Sequence, residues 1–232
     1  MRIMTDFHSH VLPCIDDGSK SLKESLKMLE LLSAQGVDRV VATPHFYPNR
    51  YSVSEFLEKR DSAYKLLEPH LTSAHPQIIL GAEVKFYDCI SQLKNLESLF
   101  IDGTEMLLLE MPFERWSEYT VKQLMNLSSG GICTVAIAHI DRYIQFQSKG
   151  VLEELVRNGI LFQANAESFK QFFEKRKMLK LLKEHQIHFI GTDCHNLTDR
   201  SPNINKAYNA ISKKFGEQFA ENFINSQNEI FN

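Results

Sequence analysis

Histidines and carboxylates recur at the ends of short apolar runs in this chain. His8 and His10 stand in "DFHSH", His45 closes "ATPH", Glu83 closes "LGAE" and Glu110 closes "LLLE". His139 closes "AIAH", and Asp193 and His195 stand in "GTDCH". Gathered in one place, five histidines and three carboxylates would repel or desolvate one another without cations. Divalent metals resolve the conflict, because they bind neutral imidazole and ionised carboxylate together. Mixed ligation of this kind suits Mn, Fe or Zn better than Ca or Mg. Eight such side chains, some of them bridging, can hold two or three ions. Closely spaced ions clamp a phosphoryl group and turn bound water into hydroxide near neutral pH.

The spacing of the first pair has its own logic. Residues i and i+2 of an extended strand point the same way, so His8 and His10 can reach one ion while Ser9 faces away. The other four histidines, His70, His75, His185 and His188, fall in helices, loops or a strand start and are expected to be structural.

Elements must bring these residues together. Apolar runs at Ile3–Phe7, Val37–Ala42, Gln77–Leu80, Glu105–Glu110, Ile132–Ala138, Ile160–Ala164 and Ile187–Thr192 read as strands. "SLKE" at Ser21–Glu24 reads as a capping box opening a helix whose apolar face is Leu22, Leu26, Leu29 and Leu32, with Gly36 as its stop. Helical patterns also cover Ser54–Leu67, Tyr119–Leu127, Val151–Asn158, Phe169–His185, Lys206–Phe215 and Glu217–Asn225. Strands alternating with helices imply βαβ units and a parallel sheet. Seven units predict a closed or nearly closed α/β barrel, with an open doubly wound sheet as the alternative. That alternative usually brings a Gly-rich phosphate loop after the first strand, and none is present. In a barrel the C-terminal strand ends share one face, the face that carries active sites. The sixth strand alone brings no strong ligand there; it ends in Asn165.

The gross numbers agree. The chain has 232 residues, 43% hydrophobic and 24% charged, with a net charge of -3. One domain spanning 1–232 is expected. No basic run suggests nucleic acid, no apolar stretch is of membrane-spanning length, and no signal-peptide core follows Met1. The cytoplasm is the expected compartment. Cys14, Cys89, Cys133 and Cys194 are far apart and form no CxxC pair, so neither a disulfide framework nor a zinc-thiolate site is expected.

"DFHSHVLPCIDDGSKSLKESLKM", "GVDRVVATPHFYPNRY", "LGAEVKFY", "LLLEMP", "AIAHIDRY" and "GTDCHNLTDRSPN" occur in that order. In these motifs the chain resembles the PHP superfamily, and within it the manganese-dependent protein-tyrosine phosphatases of bacterial capsule and exopolysaccharide operons. The resemblance runs from Met4 to about Asn209 and implies a distorted seven-stranded (β/α)7 TIM-like barrel. It implies two to three divalent ions, Mn²⁺ first, with Fe or Zn possible. His8, His10, Glu83 and Asp193 would hold the first ion. Glu83 would bridge to a second with Glu110 and His139. Asp17 would join His45 and His195 at a third. Asp16 would support a ligand or cap the following helix, and Gly18 would serve a tight turn. Cys14, Asp141 and the "RSPN" ending depart from the family's usual residues and bear on loop shape.

The reaction so implied is phosphomonoester hydrolysis by attack of a metal-bound hydroxide. Arg142, three residues after His139, and Arg200, five after His195, are expected to take phosphate with their planar forks. A phenolate leaving group, with a conjugate acid near pKa ~10, needs less help from a general acid than an alkoxide. The implied substrate is a phosphotyrosine protein, a cytoplasmic tyrosine kinase of polysaccharide export. The alternatives are a PHP-type small-molecule phosphatase (histidinol phosphate, for example), a phosphodiesterase, or a non-catalytic binding module. "CHNLTDR", Cys194–Arg200, also fits the CxxxxxR pattern of cysteine-dependent tyrosine phosphatases. It lacks the glycine-containing loop that cradles phosphate, so the metal mechanism is preferred. Tyr47, Tyr51, Tyr87, Phe113, Trp116 and Tyr143 are candidates to line a phosphotyrosine slot, with Tyr47 and Tyr87 favoured.

Overall fold

The computed structural model describes residues 3–231. Among them, nine parallel strands build the sheet: β1 (Thr5–Ser9), β2 (Arg39–Ala42), β3 (His45–Phe46), β4 (Gln77–Leu80), β5 (Glu83–Lys85), β6 (Met106–Glu110), β7 (Thr134–Ile137), β8 (Leu161–Asn165) and β9 (Phe189–Gly191). They hydrogen-bond in two sets, β1-β2-β4 and β3-β5-β6-β7-β8-β9. β2 and β3 lie on one chain path broken at Thr43–Pro44, and β4 and β5 on one broken at Gly81–Ala82. Pro44 has no N–H to give to a ladder. Both paths keep the same offset across the break, Val41 pairing with Ile79 and His45 with Glu83. Seven strand positions result.

The ring is closed between the last strand and the first. Asp193 N–H donates to His8 O at 2.7 Å and His10 N–H to Cys194 O at 2.9 Å. An open sheet has no such bonds, so the barrel expectation holds.

Among the described residues eight α-helices accompany the sheet: α1 (Leu22–Ser33), α2 (Val53–Leu67), α3 (Glu118–Ser129), α4 (Ile140–Tyr143), α5 (Lys149–Arg157), α6 (Phe172–Lys183), α7 (Asn205–Phe215) and α8 (Glu217–Gln227). The expected capping box of α1 is only half formed. Ser21 Oγ accepts from Glu24 N–H at 3.2 Å, but the Glu24 carboxylate takes the Lys20 N–H at 2.8 Å. The reciprocal box belongs to α2, at Ser52 and Glu55. The buried stripe of α1 is Ser25, Met28, Leu29 and Leu32, so Leu22 and Leu26 sit at its edge.

Two apolar cores result. The larger lies between sheet and helices. The smaller fills the barrel interior with Phe7, Val41, Met106, Leu108, Ala136 and Phe189. Phe231 closes its lower end, 5.9 Å from the Phe7 ring and with the Arg39 guanidinium 4.5 Å over it. Asn228 ties this plug to the first strand, donating to Ile3 O at 2.8 Å and accepting from Thr5 Oγ1 at 2.7 Å.

Strict alternation would send Phe7 and His8 to opposite faces. β1 shifts register between Asp6 and Ser9. Such an irregularity re-aims side chains, and here Phe7 enters the interior core while His8 stands above it. Gly191 lets the neighbouring strand come close: a Cβ there would lie 2.5 Å from His8 Cβ. Gly18 has the same function beside His10, where a Cβ would lie 2.4 Å from the carbonyl oxygen. Its backbone is not left-handed, so close approach rather than turn conformation explains it.

Candidate metal centre

The C-terminal strand ends converge as the spacing of the sequence predicts. His8 and His10 turn their Nε2 atoms to within 3.2 Å of each other, while Ser9 Oγ donates away to Val41 O. Glu83 Oε2 lies 3.3 Å from both Nε2 atoms, and Asp193 Oδ1 lies 3.6 and 3.5 Å from them. His139 Nε2 meets Glu83 Oε1 at 2.8 Å. His45 stands between two sets, its Nδ1 3.0 Å from Glu83 and its Nε2 3.3 Å from Asp17. His195 Nε2 is 3.4 Å from the same Asp17 oxygen.

Three groups have donor atoms close enough to share an ion: His8, His10 and Asp193; His45, Glu83 and Glu110; and His10, Asp17, His45 and His195. All nine ligand candidates thus lie in one cluster. His139 enters it through Glu83, outside those three groups.

Two ligand candidates need unusual backbone. His139 (φ 33°) and Asp193 (φ 53°) are left-handed. That region is sparsely populated outside glycine, and it turns both side chains inward past the end of a strand.

The surrounding hydrogen bonds fix the rings. His8 donates from Nδ1 to Gln163 Oε1 at 3.0 Å, and His10 from Nδ1 to Asp16 Oδ2 at 2.7 Å. His195 donates from Nδ1 to Asp193 O at 2.9 Å. In each case Nε2 is left facing the cluster, the arrangement in which an imidazole ligates a metal. Asp16 also accepts from His45 N–H at 3.0 Å, so it orients two ligand candidates; Ser21 caps the helix.

Charge at the centre is heavily perturbed. Burial would raise the Glu83 carboxyl, but His8, His10, His139 and His45 hold it well below the carboxylate range. Burial likewise opposes ionisation of Asp193, and His8 and Arg142 overcome it while Glu83 repels it. Burial works against a charged His10, yet Asp16 and Glu83 push it up to about 10. His195 goes the other way, to about 3, through burial and the neighbouring His10 charge.

Do these residues suit metal ions? Within the cluster, five buried atoms find no well-aligned hydrogen bond: His45 Nδ1, Glu83 Oε2, Glu110 Oε2, His139 Nδ1 and His195 Nε2. Leaving a buried polar atom unpaired costs about 1–3 kcal/mol, more for a charged group. All but His139 Nδ1 belong to groups able to share an ion. The donor set and its unpaired atoms fit divalent cations.

Arg142 and Arg200 both reach Asp193. Arg142 Nη2 donates to Oδ2 at 2.5 Å and Arg200 Nη2 to Oδ1 at 2.7 Å. Each keeps about a third of its side chain open, 36% and 34%. Their remaining N–H donors can take an anion beside the ligands.

Cys194 does not take part. It is fully buried, and burial together with Asp6 pushes its thiol well above the ordinary range. A nucleophilic cysteine needs the thiolate, so the CxxxxxR pattern is coincidental.

The sixth strand supplies what the sequence reading missed. Gln163 and Asn165 of β8 are not ligand candidates themselves but hydrogen-bond to His8 and Asp193, which are. Gln163 Nε2 donates to Asn165 Oδ1 at 3.1 Å, and Asn165 Nδ2 to Asp193 Oδ2 at 2.9 Å. Their signal was two amides at period two in "LFQAN". Of the aromatic candidates, Trp116 and Tyr143 are core residues, and Tyr51 and Tyr87 pack on its edge. Tyr47 stacks on His45 at 5.2 Å and Phe113 on His139 at 6.1 Å.

Residues 4–231 match the family described as "Capsular polysaccharide synthesis, CpsB/CapC". The chain belongs to the CpsB/CapC family. It is 30% identical over 227 residues to the tyrosine-protein phosphatase CpsB of Streptococcus agalactiae serotype III, covering 94% of this chain and 93% of that protein. It is 29% identical over 221 residues to the tyrosine-protein phosphatase YwqE of Bacillus subtilis, covering 93% and 86%. A crystal structure from work on YwqE of B. subtilis and CpsB of Streptococcus pneumoniae, described as unique metal-dependent tyrosine phosphatases, superposes with a TM-score of 0.84. It is 25% identical and covers 98% of this chain and 94% of the other. A TatD family hydrolase of Entamoeba histolytica shares the fold at a TM-score of 0.57 and 12% identity, covering 98% and 96%. This CpsB/CapC chain has no helix long and apolar enough to cross a membrane among its described residues.

Proposed function

We propose that the chain is a metal-dependent tyrosine-protein phosphatase of capsular polysaccharide synthesis. The observation that carries this is one cluster of nine His, Asp and Glu side chains, all but Asp17 and His45 buried, with two arginines at its edge. His8, His10, Glu83 and Asp193 would hold one ion. Glu83 would bridge to a second with Glu110 and His139, and Asp17, His45 and His195 would hold a third. Manganese is the proposed ion, with iron or zinc as substitutes. When bound, such ions neutralise phosphoryl oxygens and acidify water.

The chain's own residues supply the rest. Gln163 and Asp16 hold His8 and His10 in the ligating tautomer. Arg142 and Arg200 are anchored on Asp193 and bind phosphoryl oxygens with their open donors. The phenolate departs without a strong general acid, because its conjugate acid is already near pKa ~10. The proposed partner is a cytoplasmic tyrosine kinase of polysaccharide export, which the family's association with capsule synthesis supports.

Phosphate release from a phosphotyrosine peptide tests the reading, with and without chelator, followed by Mn²⁺. Cys194→Ser is assayed alongside. Activity that chelator removes, Mn²⁺ restores and Cys194→Ser retains is the expected result. Activity indifferent to chelator but lost in Cys194→Ser would overturn it. Faster turnover of histidinol phosphate than of the peptide would favour the small-molecule alternative.

A further inference from the structure

A phosphotyrosyl polypeptide brings more than a phosphoryl group to the centre. Its phenyl ring must lie beside the ligands, and its backbone must lie outside them. Neither has a place among the nine ligand residues.

Phe113 meets the first need. Its ring is within 11° of parallel to that of His139, with centroids 6.1 Å apart, and it is 49% exposed. It lines a cavity of about 500 Å³ that it shares with Arg142 and, from α6, with Glu174, Lys177 and Met178. Arg142 and Asn165, which line this cavity, reach Asp193 at 2.5 and 2.9 Å, so the cavity adjoins the cluster at one residue's remove. Phe113 also has Tyr143 at 5.1 Å and Lys85 Nζ at 5.8 Å, but half of it stays open. Tyr47 is less suited, because it is only partly exposed and the Arg50 guanidinium lies nearer its ring, at 4.7 Å, with His45 at 5.2 Å.

Phe172 and Phe173 meet the second need. They open α6, are 66% and 84% exposed, and pack edge to face at 5.4 Å. α6 follows β8, so its N-terminus lies on the face where the strands end. Two adjacent phenyl rings left in water at a rim mark a contact surface. The same helix runs from them to the cavity wall.

We infer that these features form one track for the substrate polypeptide. The phosphoryl group lies at the ligands and arginines. The phenyl ring stacks on Phe113, in the offset or tilted geometry that aromatic pairs prefer. Residues flanking the phosphotyrosine cross Phe172 and Phe173. The inference rests on the tyrosine-phosphatase reading above.

Three probes report on the track in order: inorganic phosphate as an inhibitor, p-nitrophenyl phosphate, and a phosphotyrosyl peptide. Phe113→Leu is expected to raise KM for both aryl substrates about fivefold and leave the phosphate inhibition constant alone. Phe113→Tyr, which keeps the ring, restores both. The double variant Phe172→Ser/Phe173→Ser is expected to raise KM about tenfold for the peptide alone. Unfolding midpoints confirm that the variants fold. Phe113→Leu moving the phosphate constant by the same factor as KM would overturn the track. So would a double variant that changes both aryl substrates equally, or neither. A change of oligomeric state with an unaltered peptide KM would assign the rim to a second copy instead, and also overturns it. Wild-type protein that hydrolyses no aryl phosphate would sink the phosphatase reading itself. Fluorescence anisotropy of the labelled peptide would then still test the track, since the double variant must bind it more weakly.

Discussion

Gln163 accepts a hydrogen bond of 3.0 Å from Nδ1 of His8. The same oxygen accepts from His139 N–H at 2.7 Å, so one buried amide positions two candidate ligands, one on β1 and one past the end of β7. Gln163→Leu removes both bonds at similar volume. Metal affinity is expected to fall about 10–100-fold, the usual cost of losing a group that orients a ligand. Titration of the loaded protein with a chelator measures it. Unchanged affinity would mean that the ring of His8 is held by packing alone.

Much of this was readable in the sequence, for a physical reason. Buried His, Asp and Glu are costly, so a series of them at apolar strand ends demands a shared purpose. The i, i+2 relation of His8 and His10 needed only strand geometry. The supporting roles of Gln163 and Asn165 escaped notice because an uncharged amide in a strand carries no comparable penalty signal. The breaks before His45 and Glu83 were hidden because each half-strand keeps the register of the whole. Phe113, Trp116 and Tyr143 looked alike as aromatic residues; only the fold shows that one faces solvent and the other two the core.

Arg142 and Arg200 share one carboxylate, an arrangement that separates charge from shape. Arg142→Lys keeps the charge but loses the planar fork. We expect kcat/KM on a phosphotyrosine peptide to fall about a hundredfold, in the range seen when one stabilising donor is removed from a reacting centre. The unfolding midpoint should change little, since the side chain is partly open. A variant within about twofold of wild type would show that the arginine supplies only charge.

His188 offers a pH test away from the centre. Its Nδ1 accepts the Phe162 N–H at 3.0 Å, a bond only the unprotonated nitrogen can make. Burial, helped by the His185 charge, pushes its pKa down to about 4. In the unfolded chain it titrates near ~6.5. Between those values the unfolded state binds a proton that the folded state refuses, so stability is present above about pH 6.5 and declines as pH falls toward 4. His188→Asn keeps an acceptor and cannot titrate. Denaturant midpoints measured across this window should fall less steeply in the variant; equal slopes would refute the assignment.

The plug beneath the barrel has a consequence for how the chain is made. Phe7 is covered by Phe189 and Phe231, and Thr5 is tied to Asn228, a partner 223 positions away. On the ribosome the first strand therefore has its inner face uncovered until a partner 223 positions later has emerged. Its neighbour β2 arrives early, but the other edge stays open until β9 follows. Contacts this distant in sequence slow the search for the native state. Until that late closure the open edge is a template for pairing with another chain, so translation itself is the stage at which this protein is most exposed to aggregation.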